Sequence, residues 1–338
     1  MKAAILQEIN KPLIVDDVEL TELQIGQVLV RVLVSGLCGA QLQEIRGEKG
    51  NAKFTPHLIG HEGCGIVQSI GPGVTKVNPG DKVIMHWRKS TGIEAAFPTY
   101  IYNDKKMSSG KITTLSEFTI ASENRLTLVP QDTPEELCAL LGCGLSTALG
   151  TINNDARIKF GETVLIIGCG GVGLNLIQGA RLAGAGDIYA IDVTDDKQPL
   201  VESFDAKYFN IADNNAIVES IKGIDCIIDT TGYMDTVSLF LPELTDRGRV
   251  IVVSQPKTDS AIKFTQPAKF FLGEGQTISS TQGGKVDPST DFIRFIKLYQ
   301  RGVLKIDNLV THALPLEEIN TAVDLLKSGK AGRILIKM

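Results

Sequence analysis

Residues 164–184 read VLIIGCGGVGLNLIQGARLAG: four apolar residues, a glycine-rich turn, then apolar Leu174, Leu176, Ile177, Ala180 and Leu182 at helical spacing. A second apolar run, DIYAID at 187–192, follows at once. Strand, turn, helix and strand in that order make a βαβ unit, with Gly168-x-Gly170-x-x-Gly173 at the passage from strand to helix. A bare glycine triplet is a weak signal. Here the flanking elements, and Asp192 closing the next strand 19 positions after Gly173, supply the context of a dinucleotide-binding turn. Gly168 makes the turn, Gly170 lets a pyrophosphate approach the backbone, and Gly173 lets the helix pack on the strand. The helix N-terminus at Gly171 and Val172 offers amide donors. Asp192 would accept hydrogen bonds from ribose hydroxyls and repel a 2′-phosphate, which selects NAD over NADP; the alternative is an ordinary acid after a strand.

Outward from this unit, strands and helices alternate from about 145 to 282 (CIIDTTG, GRVIVVS and TISST mark the later strands), predicting a doubly wound parallel sheet. Residues 1–130 instead alternate short β-rich runs with Gly/Pro turns such as NPGD, the pattern of a compact, mostly-β module. Beyond 283 the sequence predicts a helix from Phe292 to Gln300, a short strand near LVTHAL, a helix from about Pro315 to Lys327 stopped by Gly329, and a terminal strand ILIKM. The fold class is therefore α/β with a second, mostly-β domain.

With 338 residues the chain is long enough for two cores. A net charge of −5 with scattered basic residues argues against a nucleic-acid partner. The uncharged stretch from Leu137 to Ile152 is shorter than the roughly 18–20 apolar residues of a membrane span. No signal-peptide pattern opens the sequence, and six irregularly spaced cysteines do not make a disulfide framework, so a reducing cytoplasm is expected.

Residues 60–74, GHEGCGIVQSIGPGV, hold an adjacent His61-Glu62 pair between glycines. Imidazole and carboxylate are zinc ligands, and glycines let backbone bend around a small ion. Alone such a pair is more often a surface feature; the cysteines raise its weight. Cys169 and Cys226 sit in apolar strand contexts and read as buried thiols. Cys138 falls on a helical stretch, whereas Cys143 lies between two glycines and is the better ligand; Cys38 ends a β-rich run at a glycine-flanked turn. Cys38, His61 and Cys143, with Glu62 beside the metal, would make a catalytic zinc site, because three protein ligands leave a position open.

On these motifs the chain resembles the zinc-containing alcohol dehydrogenases of the medium-chain dehydrogenase/reductase superfamily. The match rests on GxCxxx at Gly36–Gln41, GHExxGxxxxxGxxV at Gly60–Val74, the NPGDKV turn, LxGCGxSTxxG at Leu140–Gly150, the GxGGVG loop, the Asp192/Lys197 pair and INTAVDLLKSGKAGRILIKM at the C-terminus. In pattern it is similar to the glutathione-dependent formaldehyde-oxidising branch. The resemblance implies a GroES-like catalytic domain from residues 1–144 and 283–338, an NAD-binding Rossmann domain from 145–282, and an active site in the cleft between them. It implies a homodimer or homotetramer, Cys38, His61 and Cys143 as ligands of one catalytic zinc, and Glu62 as the acid near it. It also places Thr147 beside the nicotinamide, Lys197 beside the adenosine, Arg333 at the pyrophosphate, and Trp87 with Ala40 in the substrate pocket; Trp87 reads equally as a core tryptophan. His57, His86 and His312 have no matching role.

Two departures follow. Relatives carry four cysteines for a structural zinc where this chain reads HWRKSTGIEAAFPTYIYNDKKMSSGK, so that zinc is not expected. The segment reads as a metal-free loop that could cover the site entrance, with Lys105, Lys106 and Lys111 solvated. Relatives also place a proton-passing hydroxyl two residues after the first ligand and an aspartate three residues after it; this chain has Ala40 and Gln41. The expected reaction is hydride transfer between NAD(H) and an alcohol or carbonyl with an atypical proton route. The alternatives are reduction of an imine or conjugated bond, or a non-redox lyase or structural role on the same scaffold.

Overall fold

The computed structural model describes residues 1–256 and 259–338. The chain divides into two compact units, one of residues 1–143 with 287–338 and the other of residues 144–286.

The second unit is built on a parallel sheet of Val164–Ile167 (β1), Ile188–Asp192 (β2), Lys207–Asn210 (β3), Ile224–Asp229 (β4), Leu244–Val252 (β5) and Thr277–Ser280 (β6), in the order β3-β2-β1-β4-β5-β6. That order is the Rossmann arrangement, and β1 lies at its switch point. Every residue of β1 is buried, as expected of a parallel strand covered on both faces, and this is why the sequence shows an apolar run rather than an alternation. Leu165, Ile167, Ile227 and Val250 share one core with Val237 and Phe240. The glycine turn leads into the helix Gly171–Leu182 (α1).

In the first unit, a seven-stranded sheet runs Leu126–Leu128, Lys82–His86, Glu62–Ile70, Gln27–Leu37, Arg333–Lys337 and Val310–Pro315, with Phe118–Ser122 also paired to Gln27–Leu37. The C-terminal strand enters antiparallel to Gln27–Leu37, with Ile334 opposite Leu37; the two ends of the chain thus complete one domain. Helix Ile319–Lys327 buries Ile319, Ala322 and Val323 against Leu37, Ile45 and Ile334, and Gly329 beyond it takes φ 72°, the left-handed stop that favours glycine. A six-stranded sheet completes the unit, with Lys2–Leu6 between Ile14–Asp17 at one edge and His57–Leu58. The fold is mixed α/β, with GroES-like and Rossmann-like domains.

The segment expected to be a loop at 88–112 differs from expectation. Thr99–Tyr102 and Lys105–Ser108 form a hairpin inside the six-stranded sheet, turning at Asn103 and Asp104 with φ of 51° and 59°, and Tyr100 is fully buried. Lys105 and Lys106 are exposed as expected. Lys111 is not simply solvated: its ammonium donates to the Ala95 carbonyl at 2.5 Å, pairs with Glu94 at 3.4 Å and lies over the Phe97 ring. Among the described residues, no single helix is long and apolar enough to cross a membrane.

Candidate active site

Three chain segments deliver the metal-ligating side chains. Cys38 terminates the buried strand Gln27–Leu37 and caps the short helix Gly39–Ile45 in an extended conformation. His61 immediately precedes the strand Glu62–Ile70. Cys143 follows Gly142 at the end of helix Glu135–Leu141, whose close seating needs that glycine, since a Cβ there would lie 2.5 Å from the Met85 carbonyl. One donor atom from each of Cys38, His61 and Cys143 lies within 4.8 Å of the others. Two sulfurs each about 2.3 Å from one tetrahedral ion stand roughly 3.8 Å apart, so the three side chains fit a single zinc. All three stay partly open to solvent. Two thiolates and an imidazole are the soft donor set that zinc prefers.

Glu62 stands outside this three-donor cluster. Its carboxylate is fully buried and bound by the guanidinium of Arg333. The side chain lies across Gly36, where a Cβ would come within 2.6 Å of the carboxyl carbon. Arg333 is 4% exposed. Its partner here is Glu62, because pairing with Leu37 at its neighbour Ile334 places it beside the start of the Glu62 strand.

The electrostatics follow from this crowding. The hydrogen bond with Cys143 holds the Cys38 thiol well below its ordinary range, with further help from His61, while the same shared proton and burial push Cys143 well above it. Burial presses His61 down, but the hydrogen bond and charge of Cys38 carry it above its usual value. Burial pushes the Glu62 carboxyl up against the opposing charge of Arg333. Gln41, fully buried, links two ligands: its Oε1 accepts the Cys38 backbone N–H at 3.0 Å, and its Nε2 lies 2.6 Å from Nδ1 of His61. Ala40 offers no hydroxyl. Trp87 is half-buried with the Arg88 guanidinium 5.5 Å from its ring centre, so it is no core tryptophan. His86 is buried between the Arg88 carbonyl and the Thr127 hydroxyl.

In the dinucleotide unit, Gly168 takes φ +94° and a Cβ on Gly173 would lie 1.8 Å from the Gly168 carbonyl oxygen, whereas the space at Gly170 is open. Both Asp192 oxygens are anchored, one by the Cys169 N–H at 2.8 Å and the other by the Val193 N–H at 2.7 Å. Lys197, itself buried, stands 3.8 Å from the same carboxylate. Thr147 is buried, and its carbonyl accepts from the Thr151 hydroxyl. One residue that the sequence does not single out is Asp229, at the end of β4. It is fully buried and accepts from Thr231, Gly232 and Ser254, fixing the turn at that strand's carboxyl end; the tetrapeptide Asp229-Thr230-Thr231-Gly232, an acid followed by close donors, is the available signal.

A Cys-His-Cys donor set in a GroES-like domain, carried on one chain with a Rossmann sheet, defines the class of medium-chain zinc dehydrogenases. Residues 24–131 match the family model "Alcohol dehydrogenase GroES-like domain" and residues 171–301 match "Zinc-binding dehydrogenase". Alcohol dehydrogenase 1 of Trifolium repens is 30% identical across 100% of this chain and 97% of its own length. S-(hydroxymethyl)glutathione dehydrogenase of Paracoccus denitrificans is 30% identical across 99% of each. Among solved structures, an alcohol dehydrogenase zinc-binding domain protein from Burkholderia ambifaria superimposes with a TM-score of 0.91 at 25% identity, covering 100% of this chain and 98% of that one. The chain belongs to the zinc-containing alcohol dehydrogenase family and is an oxidoreductase of that type.

Proposed function

We propose that this enzyme transfers a hydride between NAD(H) and a small alcohol or carbonyl substrate, with one zinc per chain held by Cys38, His61 and Cys143. The observation that carries this reading is the convergence of those three donors within 4.8 Å. Bound there, zinc would supply Lewis-acid polarisation of the substrate oxygen, and the nicotinamide would supply or receive the hydride. The protein's own contribution is positional. Glu62 and Arg333 form a buried, charge-compensated floor under the ligands. Residues 145–282 bind the cofactor: Gly168, Gly170, Gly171, Val172 and Gly173 receive the pyrophosphate on open backbone, Asp192 takes the ribose hydroxyls, Lys197 lies on the adenosine side and Thr147 beside the nicotinamide ring. Residues 1–144 and 283–338 bind the substrate, with Ala40 and Trp87 in its pocket.

Ala40 cannot pass a proton, so the substrate proton leaves through water or through a group on the substrate itself. That same residue favours a second reading, reduction of an imine or conjugated bond. A homodimer or homotetramer is supported by the edge position of β6 and the exposed Phe271 and Leu272 before it.

Metal analysis of the purified protein with NADH absorbance across a panel of alcohols, aldehydes, imines and enones tests the reading. One zinc per chain and NAD-linked turnover are expected, both lost in Cys143→Ser. Zinc without any absorbance change across the panel would point to a non-redox role, and turnover without zinc would overturn the metal assignment.

A further inference from the structure

The hydrogen bonds around Gln41 conflict with what a metal asks of His61. A neutral imidazole that binds metal through one nitrogen carries its proton on the other and donates it to an acceptor. In this chain Nδ1 of His61 is occupied by Gln41 at 2.6 Å, which leaves Nε2 for the donor cluster. The facing atom of Gln41 is its Nε2, a donor. Its orientation is secured at both ends: Oε1 accepts the Cys38 backbone N–H at 3.0 Å, and Nε2 reaches the Glu44 carboxylate at 3.4 Å. An amide has one acceptor atom, and two donors would compete for it once His61 bound metal. Facing a donor, the neutral ring presents the Nδ1 lone pair, so its single proton resides on Nε2, where it points towards the cluster.

We propose that Gln41 is a positioning residue that holds His61 in the tautomer that does not bind metal, so that zinc loading requires the Gln41 amide to turn over. The proposal rests on the reading of Cys38, His61 and Cys143 as a zinc site. Turning the amide presents Oε1 to the Nδ1 proton of His61. It also strips the Cys38 N–H of its acceptor and sets Oε1 towards the Glu44 carboxylate. Three hydrogen bonds, to Nδ1, from the Cys38 N–H and to Glu44, are displaced for one gained, and the site therefore takes up zinc more weakly than the same donors backed by a carboxylate.

The test is zinc affinity, measured by chelator competition on the metal-free full-length protein, for the native chain, Gln41→Glu and Glu44→Gln. The carboxylate introduced by Gln41→Glu would accept from both the Cys38 N–H and the Nδ1 proton, and zinc should bind about tenfold tighter or more, the scale typical of hydrogen-bond partners of ligand histidines. Glu44→Gln separates the proposal from simple charge attraction. Removing a nearby anion should weaken zinc binding on electrostatic grounds, whereas here it should tighten binding several-fold, because the amide introduced by Glu44→Gln can donate to the turned Oε1. Nitrogen-15 NMR of histidine in the metal-free protein should show His61 protonated on Nε2 in the native chain and on Nδ1 in Gln41→Glu. Zinc that binds all three proteins with Gln41→Glu no tighter, or with Glu44→Gln weaker, overturns the role of Gln41 alone, as does an Nδ1-protonated His61 in the native protein. Failure of all three to bind one zinc overturns the metal reading, and the loading step with it.

Discussion

Arg333, first residue of the last strand, closes on Glu62, the residue directly after the His61 ligand, across 271 positions of sequence. Neither is exposed to more than 4%, and Gly36 provides the room in which they meet. The C-terminal strand therefore does more than finish a sheet. It places a permanent positive charge beneath the candidate metal centre, where it offsets the anion next to the ligands.

Replacing Arg333 with methionine should destabilise the protein by about 3–5 kcal/mol, because a buried carboxylate loses its counter-charge. The double variant Arg333→Met/Glu62→Gln should recover most of that loss. Urea unfolding of the four proteins gives the coupling directly, and an Arg333→Met cost below about 1 kcal/mol would show that Glu62 is relieved without Arg333, by hydration or by taking up a proton.

Asp192 is held by two backbone amides, so its carboxylate cannot swing aside for a 2′-phosphate. Asp192→Ala should raise the ratio of kcat/KM with NADP to that with NAD by roughly 100-fold, since juxtaposed like charges cost several kcal/mol. Lys197, released from its 3.8 Å pairing, would assist the phosphate. An unchanged ratio would remove Asp192 from cofactor selection.

The Rossmann half is legible in the sequence because strands buried on both faces appear as unbroken apolar runs and because the tight approach of Gly173 to Gly168 tolerates no side chain. The three sulfur and nitrogen donors are legible for a similar local reason, each sitting at a strand or helix end next to glycine. The Arg333–Glu62 pair is not, since it depends on which strands lie side by side. The hairpin at 99–108 is hidden although Asn103-Asp104 is a turn signal; the charged Lys105 and Lys106 obscure the alternation. The fixed position of Lys111 is equally hidden, because its partners Glu94 and Ala95 come from a segment without regular secondary structure.

That segment has its own anchor. Glu123 accepts the backbone N–H groups of Thr75, Lys76 and Ile93 at 2.7, 2.9 and 2.7 Å, while Glu94 binds Asn124 and Arg125. Glu123→Ala should cost about 2–3 kcal/mol, the range for losing charged hydrogen bonds, and should expose Arg88 and Lys89 to trypsin. Stripping metal from the native protein with a chelator should leave those two positions protected. Cleavage there on chelation would show that a metal, and not Glu123, holds the loop.

His86 gives the fold a defined acid sensitivity. Burial pushes it down to about 3, against an ordinary value of 6.5, and it is held neutral with Nδ1 donating to the Arg88 carbonyl at 2.8 Å. Below about pH 6.5 the unfolded chain takes up a proton that the native ring refuses, so its stabilising contribution is complete above that pH and falls as pH falls towards 3. The slope is about 1.4 kcal/mol per pH unit. His86→Gln keeps a donor without a titrating ring. It should be less stable than the native protein at about pH 7.5, with the gap closing by about 2–3 kcal/mol at about pH 4.5, roughly two units into the window. Denaturant unfolding at both pH values reads this difference while the carboxylates common to both proteins cancel. A gap that stays constant would mean that the native state opens to protonate His86, and that its burial does not set the acid limb of stability.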